Sequence, residues 1–246
     1  MLAELLGGWR LRGGDSSAGP PTRNALGPTP LLSEEIIGGH EAKPHSRPHM
    51  AFVQFLDKET LKRCGGVLVQ RDFVLTAAHC RGRTQQVMAV RKAIRHPDYN
   101  KKNFSNDIML LQLARKAKLT AAVKTLSLPK AKARVKPGQV CSVAGWGQVA
   151  TGMQTATLQE AKLMVQEDRV CESPFPSGYY NRASQICVGN PTEVKTSFKG
   201  DSGGPLVCKN VVQGIFSYGK TNGTPPGVFT KVSHFLPWIK KTMKHL

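Results

Sequence analysis

The chain has 246 residues, of which 40% are hydrophobic and 21% are charged, a balance typical of a folded globular protein rather than a disordered one. The formal net charge of +19 favours association with polyanions such as an acidic proteoglycan, although a basic surface can also serve solubility alone. No run approaches the roughly 18 apolar residues of a membrane-spanning helix, and no nucleic-acid-binding motif is present, so we expect neither a transmembrane segment nor a specific nucleic-acid partner.

Residues 1–35 have the composition of an atypical leader or propeptide. A secretory signal combines a positive start, an apolar run of about 7–15 residues and a small-residue cleavage site, and this pattern is not present here. Gly, Pro and Ser dominate residues 13–30, which predicts a lack of regular structure. We therefore expect residues 1–35 to be disordered.

From Ile36 onward, short runs rich in Val, Ile, Leu and Phe alternate with turns. The runs predicted as strands are 50–55, 65–69, 73–77, 107–113, 139–144, 205–208, 211–218 and 227–232. Many short strands separated by turn residues predict an all-β fold. The end of the chain is the exception, because apolar residues from Phe235 to Met243 recur at helical spacing and Ser233 could cap a helix there.

Residues 129–137 divide the strand-rich part of the chain. They are basic, bounded by proline and poor in large apolar side chains, as a linker is, although a surface loop would look the same. Taken as a linker, the segment separates an amino-terminal unit at 36–128 from a carboxy-terminal unit at 129–246.

The six cysteines are widely spaced and form no CxxC pair, so zinc or thioredoxin-type redox chemistry is poorly supported. They are Cys64, Cys80, Cys141, Cys171, Cys187 and Cys208. An even number of such cysteines predicts three disulfides formed in an oxidising compartment. Spacing alone leaves the pairing open.

Three segments carry the residue types of nucleophilic catalysis. Residues 200–205 read GDSGGP, and a tight glycine turn of this kind presents a nucleophilic Ser202 beside backbone N–H groups of Gly200 and Ser202 that can bind an oxyanion. His79 ends an apolar run and could accept the proton of Ser202. Asp107 begins another apolar run and could hold the imidazole in the required tautomer.

These residues resemble the chymotrypsin (trypsin-like) family of serine proteases, and within it the granzymes of cytotoxic lymphocytes. The resemblance rests on the order His79, Asp107, Ser202 and on residues 36–48, 199–208 and 232–243. It implies two six-stranded antiparallel β-barrels that meet at the catalytic triad, followed by a carboxy-terminal α-helix. It further implies a monomeric endopeptidase of cytolytic or secretory granules that uses no cofactor and no metal.

The same resemblance implies how the cysteines pair and how the enzyme is activated. The implied disulfides are Cys64–Cys80, Cys141–Cys208 and Cys171–Cys187, with Phe198 at the place of a further cysteine that granzymes lack. The acidic pair before Ile36 resembles the dipeptide that an activating dipeptidyl peptidase removes. The new Ile36 ammonium would then pair with Asp201 and order the oxyanion loop.

By resemblance, Thr196 lies at the base of the S1 pocket, Lys199 lies at its rim, and Ser217, Tyr218 and Gly219 form one wall. Some granzymes carry an arginine where this chain has Gly227, and that arginine selects Asp substrates. A neutral, open pocket favours Phe, Tyr, Leu or Met instead, with Asp cleavage aided by Lys199 as the alternative.

The chain departs from the family just after Cys80, where a longer segment that includes a barrel strand is expected. The first barrel is therefore predicted to lack a strand, unless residues 84–90 substitute for it. Three functions stay open: an active granule protease, a non-catalytic cationic protein that binds acidic glycans or microbial surfaces, and an inactive splice form. Asn103 and Asn222 match the N-glycosylation pattern.

Overall fold

The computed structural model describes residues 2–5, 38–57, 59–80, 89–131, 133–147, 157–193 and 201–246. Its strands are β1 (Leu2–Leu5), β2 (His40–Glu41), β3 (Met50–Asp57), β4 (Thr60–Gln70), β5 (Phe73–Thr76), β6 (Val90–Arg95), β7 (Met109–Leu113), β8 (Val140–Gly145), β9 (Gln159–Met164), β10 (Gln185–Val188), β11 (Pro205–Cys208), β12 (Val211–Gly219) and β13 (Gly227–Lys231). The helices are α1 (Arg169–Glu172) and α2 (Val232–Lys244). The predicted all-β fold with two antiparallel sheets and a carboxy-terminal helix is confirmed.

The first sheet has the strand order β1-β3-β4-β5-β7-β6, and all its pairs are antiparallel. Every residue of β5 and β7 is buried, because these central strands pack apolar side chains on both faces. Their leucines, Val74 and Met109 form one core with Phe235 and Ile239 of α2. The strands that carry His79 and Asp107 at their ends are thus the most deeply buried of this sheet.

The second sheet has the order β10-β13-β12-β11-β8-β9-β2. It contains seven strands rather than the expected six, because the two-residue β2 adds to the free edge of β9. A separate core fills it, with Phe216 and Phe229 in ring contact at 5.2 Å between centroids. Whether residues 129–137 divide two folding units stays a prediction.

The sequence prediction missed β2, β6, β9 and β10 as well as β1, and the reason differs between β6 and β9. Strand β6 reads VRKAIR and is only partly buried, so it lacks an apolar run. Strand β9 alternates buried and more exposed residues, so polar residues interrupt its apolar ones and the strand contains no continuous apolar run. The proposed cap Ser233 is wrong: α2 begins at Val232, its cap position is Lys231, and no side chain caps it.

The amino-terminal end also differs from the expectation. Leu2–Leu5 form strand β1, which pairs antiparallel with β3, so these four residues are not disordered. Residues 6–37 and 81–88 lie outside the described part of the chain. Among the described residues, no helix is long and apolar enough to cross a membrane.

Candidate active site

His79 stands at the end of a buried hairpin. It follows β5 by way of Ala77 and Ala78, and the Cys80 N–H donates to the Ala77 carbonyl at 3.2 Å, which closes the turn. Cys80 is joined to Cys64 of β4 by a disulfide. The imidazole is 24% exposed, so the turn and the disulfide fix a side chain that still reaches solvent.

Asp107 is completely buried, and its carboxylate accepts three hydrogen bonds. Oδ1 accepts from the backbone N–H of His79 at 3.0 Å, and Oδ2 lies 2.7 Å from His79 Nδ1. The Ser217 hydroxyl donates to Oδ2 at 2.6 Å. Such donors offset the cost of removing a carboxylate from water. Because a carboxylate can only accept, Nδ1 is the nitrogen of His79 that carries the proton.

Asp107 is also held through its backbone. The Thr230 hydroxyl of β13 donates to the Asp107 carbonyl at 2.8 Å, and this bond is buried. Because Thr230 and Ser217 belong to the second sheet while Asp107 leads into the first, the two hydrogen bonds join the sheets at Asp107.

Ser202 lies on a tight turn that is docked on the first sheet. Gly65 of β4 donates its N–H to the Ser202 carbonyl at 2.7 Å, and Gly203 donates to Phe216 of β12 at 2.9 Å. Gly203 has a φ of 81°, and a Cβ there would collide with the Thr76 hydroxyl and the Gly65 carbonyl. Glycine is therefore required beside the serine for both conformation and space.

His79 and Ser202 line one cleft with a volume of about 520 Å³. Its other lining residues include the cations Lys62, Arg63, Arg95 and Lys101 and the aromatic residues Phe55, Tyr99 and Phe104. The hydrogen bonds among the described residues do not include one between the Ser202 hydroxyl and His79. Such bonds often form only when substrate binds. The observation that bears on catalysis is therefore that His79 and Ser202 line the same cleft.

Tyr99 is a half-buried tyrosine of this cleft. Burial raises the pKa of Tyr99 to about 12, so its hydroxyl stays protonated at neutral pH. That hydroxyl has no hydrogen-bond partner within the described residues. The Arg95 guanidinium lies 5.9 Å from the ring centroid, so the ring also carries a cation contact.

Asp201 is buried with 3% of its surface exposed, next to Ser202. Its Oδ1 accepts the Gly147 N–H at 2.9 Å. A Cβ at Gly145 or Gly147 would clash with the Asp201 carboxylate, so both glycines make room for it. The expected partner Ile36 lies outside the described residues, as does the oxyanion-hole candidate Gly200.

The residues expected around the specificity pocket are only partly described. Thr196, Phe198 and Lys199 lie outside the described residues. Ser217 is buried and directs its hydroxyl to Asp107 rather than only lining a wall. Gly219 and Gly227 face each other in the β12–β13 register, and a Cβ on Gly227 would meet the Phe216 ring at 3.1 Å.

Tyr218 packs against Phe104, one of the residues that line the cleft. It contacts the rings of Phe104, Phe175 and Tyr179 at centroid distances of 5.5, 5.1 and 6.3 Å. Its hydroxyl donates to the Tyr179 carbonyl at 3.1 Å, and burial raises the pKa of this phenol above its ordinary value. These contacts surround the Tyr218 ring with other aromatic rings, so the expected pocket wall at Tyr218 has an apolar backing.

All six cysteines are paired, as Cys64–Cys80, Cys141–Cys208 and Cys171–Cys187. Cys64, His79 and Cys80 bring potential metal-ligand atoms within 4.8 Å of one another. Because both of these sulfurs are in a disulfide, neither can supply the thiolate that a metal needs, so the cluster is not a metal centre.

Sequence reasoning missed the supporting roles of Ser217 and Thr230. Each lies in a strand of the second sheet and donates to Asp107 across more than 100 positions of the chain. No local pattern signals such a bond. Only the topology brings the hydroxyls to the carboxylate.

The trypsin family model matches residues 36–239. Human granzyme H is 64% identical over 230 residues, which cover 87% of this chain and 93% of the granzyme, and human granzyme B is 61% identical over 227 residues, covering 85% and 92%. Cathepsin G of Mus musculus is 54% identical, over 85% of this chain and 86% of its own length.

Solved structures agree with the sequence comparisons. A structure described as "Structure of GrC" superposes with a TM-score of 0.81 at 55% identity, covering 85% of this chain and 100% of that one. Neuropsin, a serine protease expressed in the limbic system of mouse brain, gives a TM-score of 0.74 at 36% identity, over 84% and 99% of the two chains.

Proposed function

The chain belongs to the trypsin family of serine proteases, as a granzyme-like endopeptidase, and we propose that His79, Asp107 and Ser202 are its catalytic triad. The observation that carries this proposal is the buried Asp107 carboxylate, which lies 2.7 Å from His79 Nδ1. The other face of the imidazole opens into the cleft that Ser202 lines. A buried carboxylate, an oriented imidazole and a hydroxyl are the three groups that acyl transfer to serine requires.

In the proposed mechanism, Ser202 Oγ attacks the carbonyl carbon of the scissile peptide bond while His79 Nε2 takes the hydroxyl proton. The carbonyl oxygen becomes an oxyanion that the N–H groups of Gly200 and Ser202 stabilise. His79 then gives its proton to the leaving amine as the C–N bond breaks and an acyl-enzyme forms. Water repeats the sequence and releases the acid, while Asp107 stabilises the imidazolium in both halves.

We propose that activation follows removal of the acidic dipeptide before Ile36 by a dipeptidyl peptidase, which needs a free amino terminus and so acts after residues 1–33 have been cut away. The freed ammonium would pair with the buried Asp201 carboxylate, for which the glycines at 145 and 147 make room. Breaking one partner of a buried ion pair costs about 3–5 kcal/mol, enough to empty the active conformation. Asp201→Asn in protein cut at the same bond tests this, because it removes the carboxylate charge while the ammonium stays. Peptidase activity should be lost, and a variant as active as the parent protein would contradict the ion pair.

For the specificity pocket we propose chymotrypsin-like cleavage after Phe, Tyr, Leu or Met. Gly219 and Gly227 lie opposite each other on β12 and β13 and have no side chains that could narrow the expected pocket. Thr196, at the expected base of the pocket, carries no charge. Burying an apolar side chain there contributes about 1.5–3 kcal/mol, or about 10- to 200-fold in kcat/KM.

The test is a peptide panel that differs only in the residue before the scissile bond, applied to protein cut before Ile36. Phe, Tyr, Leu and Met peptides should be cleaved at least about tenfold faster than Asp or Lys peptides. Ser202→Ala is the matched control and should cleave none. A preference for Asp would overturn the pocket assignment while keeping the triad. No cleavage by the parent protein would favour the inactive splice form.

A second proposal concerns the surface charge. The excess of 35 Lys and Arg over 16 Asp and Glu favours storage on an acidic proteoglycan in a secretory granule. Binding to chondroitin sulfate should weaken steeply with salt. If Ser202→Ala binds equally well and the parent protein lacks peptidase activity, the non-catalytic cationic function is the one that stands.

A further inference from the structure

We propose that the outer edge of β3 is a strand-binding site, occupied by residues 2–5 of this chain until the cleavage that removes the leader during activation releases them. The inference rests on the proposed activation cleavage for its second half only. Its first half, that the amino-terminal segment covers a sheet edge in the uncut chain, is independent of catalysis.

The pairing is specific in register. Leu2, Ala3, Glu4 and Leu5 lie opposite Gln54, Val53, Phe52 and Ala51 in turn. On its other side, β3 pairs with β4 along all eight of its residues. Strand β3 therefore uses both edges, and removal of β1 would leave the backbone groups of residues 51–54 that face it without partners.

The exposed edge would border the core of the first sheet. Ala51 and Val53 have no exposed surface, and Phe55 is 4% exposed. The strand order places β1 at one end of this sheet and β6 at the other, so no other described strand pairs with this edge of β3. An uncovered edge beside a buried apolar strand is a template for association with other chains.

The tether decides whether such a short strand stays bound. Four antiparallel pairs exchange only about four backbone hydrogen bonds, and each contributes little once the bonds lost to water are subtracted. A connected segment has an effective concentration in the millimolar range, which is enough to hold weak pairing. Cutting before Ile36 removes the connection, so the strand should leave when the protein is diluted.

Activation therefore has two consequences. It frees the Ile36 ammonium for Asp201, and by removing residues 1–35 it uncovers the edge of β3. The precursor would be the better protected form, and the cut protein would be prone to edge-to-edge association.

Hydrogen exchange of the backbone amides at residues 51–54 tests the first half on uncut protein. Because successive N–H groups of a strand point to opposite sides, Ala3→Pro combined with Glu4→Pro removes one N–H that faces β3. Exchange should increase at least about tenfold at the amides of residues 51–54 that face β1. Ser16→Pro, in the leader but outside β1, is the matched control and should leave exchange unchanged. Equal exchange in the parent protein and both variants would refute the pairing.

A cysteine pair tests the register and the release. Directly opposed Cα atoms in an antiparallel pair are about 4.5–5.5 Å apart, within the range of a disulfide, so Leu2→Cys with Gln54→Cys should cross-link. Leu2→Cys with Val140→Cys, an exposed position of the second sheet, should not. A specific protease site placed before Ile36 makes the cut without any activity of the protein itself.

After that cut and dilution, the parent protein should lose protection at the amides of residues 51–54 that face β1, and the cross-linked protein should keep it. Protection retained by the cut parent protein would refute release while leaving the pairing intact. Larger particles by light scattering in the cut parent protein alone would support the uncovered edge. Because every readout is physical, failure here is distinct from failure of the peptidase assay.

Discussion

Replacing Asp107 by Asn should inactivate the enzyme by reversing the tautomer of His79. In the parent protein, Asp107 Oδ1 accepts the His79 backbone N–H at 3.0 Å, and a backbone N–H can only donate. In Asp107→Asn this bond fixes the amide oxygen at that place, which puts the amide NH₂ at the Oδ2 position. There it faces His79 Nδ1, which is 2.7 Å from Oδ2 in the parent protein.

An NH₂ group requires Nδ1 to accept, so the proton moves to Nε2, and His79 can no longer take the proton of Ser202. The imidazolium also loses its counter-charge. Loss of the correct tautomer in a Ser-His-Asp triad costs about 10⁴ in kcat, which is about 5.4 kcal/mol of transition-state stabilisation. Steady-state hydrolysis of the best peptide from the specificity panel, by protein cut before Ile36, measures it.

Ser217→Ala is the control for this prediction. It removes one donor to Oδ2 but keeps the carboxylate charge and the His79 contact, so kcat should fall by no more than about tenfold. An Asp107→Asn variant that retains activity within tenfold of the parent protein would refute the proposed role of the carboxylate. Equal losses in the two variants would instead show that packing around Oδ2, not tautomer control, limits the rate.

Three further predictions concern the pocket and stability. Gly227→Arg should move the preference of the pocket from apolar residues to Asp in the peptide panel, and an unchanged preference would remove Gly227 from the pocket. Thr230→Val loses the buried bond to the Asp107 carbonyl, so thermal unfolding should show a loss of about 1–3 kcal/mol, and an unchanged Tm would contradict the link between sheets. Burial, aided by Arg47, lowers the pKa of His49 from 6.5 to about 4, so the unfolded chain binds more protons and stability should fall by about 3 kcal/mol as the pH drops from 6.5 to 4. In His49→Phe this loss of stability at acid pH should be smaller. Curves of Tm against pH that run parallel for the two proteins would contradict the role of His49.

The fold class could be predicted because the central strands are continuous apolar runs. Strands β5 and β7 are buried on both faces, so their sequences need no partner to be recognised. Strand β6 could not be found in this way, since its charged residues are accommodated at a sheet edge. Strand β1 carries no local signal either, because its pairing depends on an edge of β3 some 50 positions away.

The candidate site, like the fold, could be predicted from the sequence only in part. Ser202, His79 and Asp107 stand in short motifs whose residue types reveal their chemistry, so sequence was enough to propose them. The donors that orient Asp107 stand in ordinary strand sequences of the other sheet. Their roles follow from which strands the fold brings together, and a single chain read in order does not contain that information.

Labelling with a fluorophosphonate probe tests the triad most directly, because only an activated serine hydroxyl reacts at an appreciable rate. On protein cut before Ile36, we expect one adduct per chain, which peptide mass mapping places on Ser202 and which His79→Ala loses. An unlabelled parent protein, or an adduct on another residue, would contradict it.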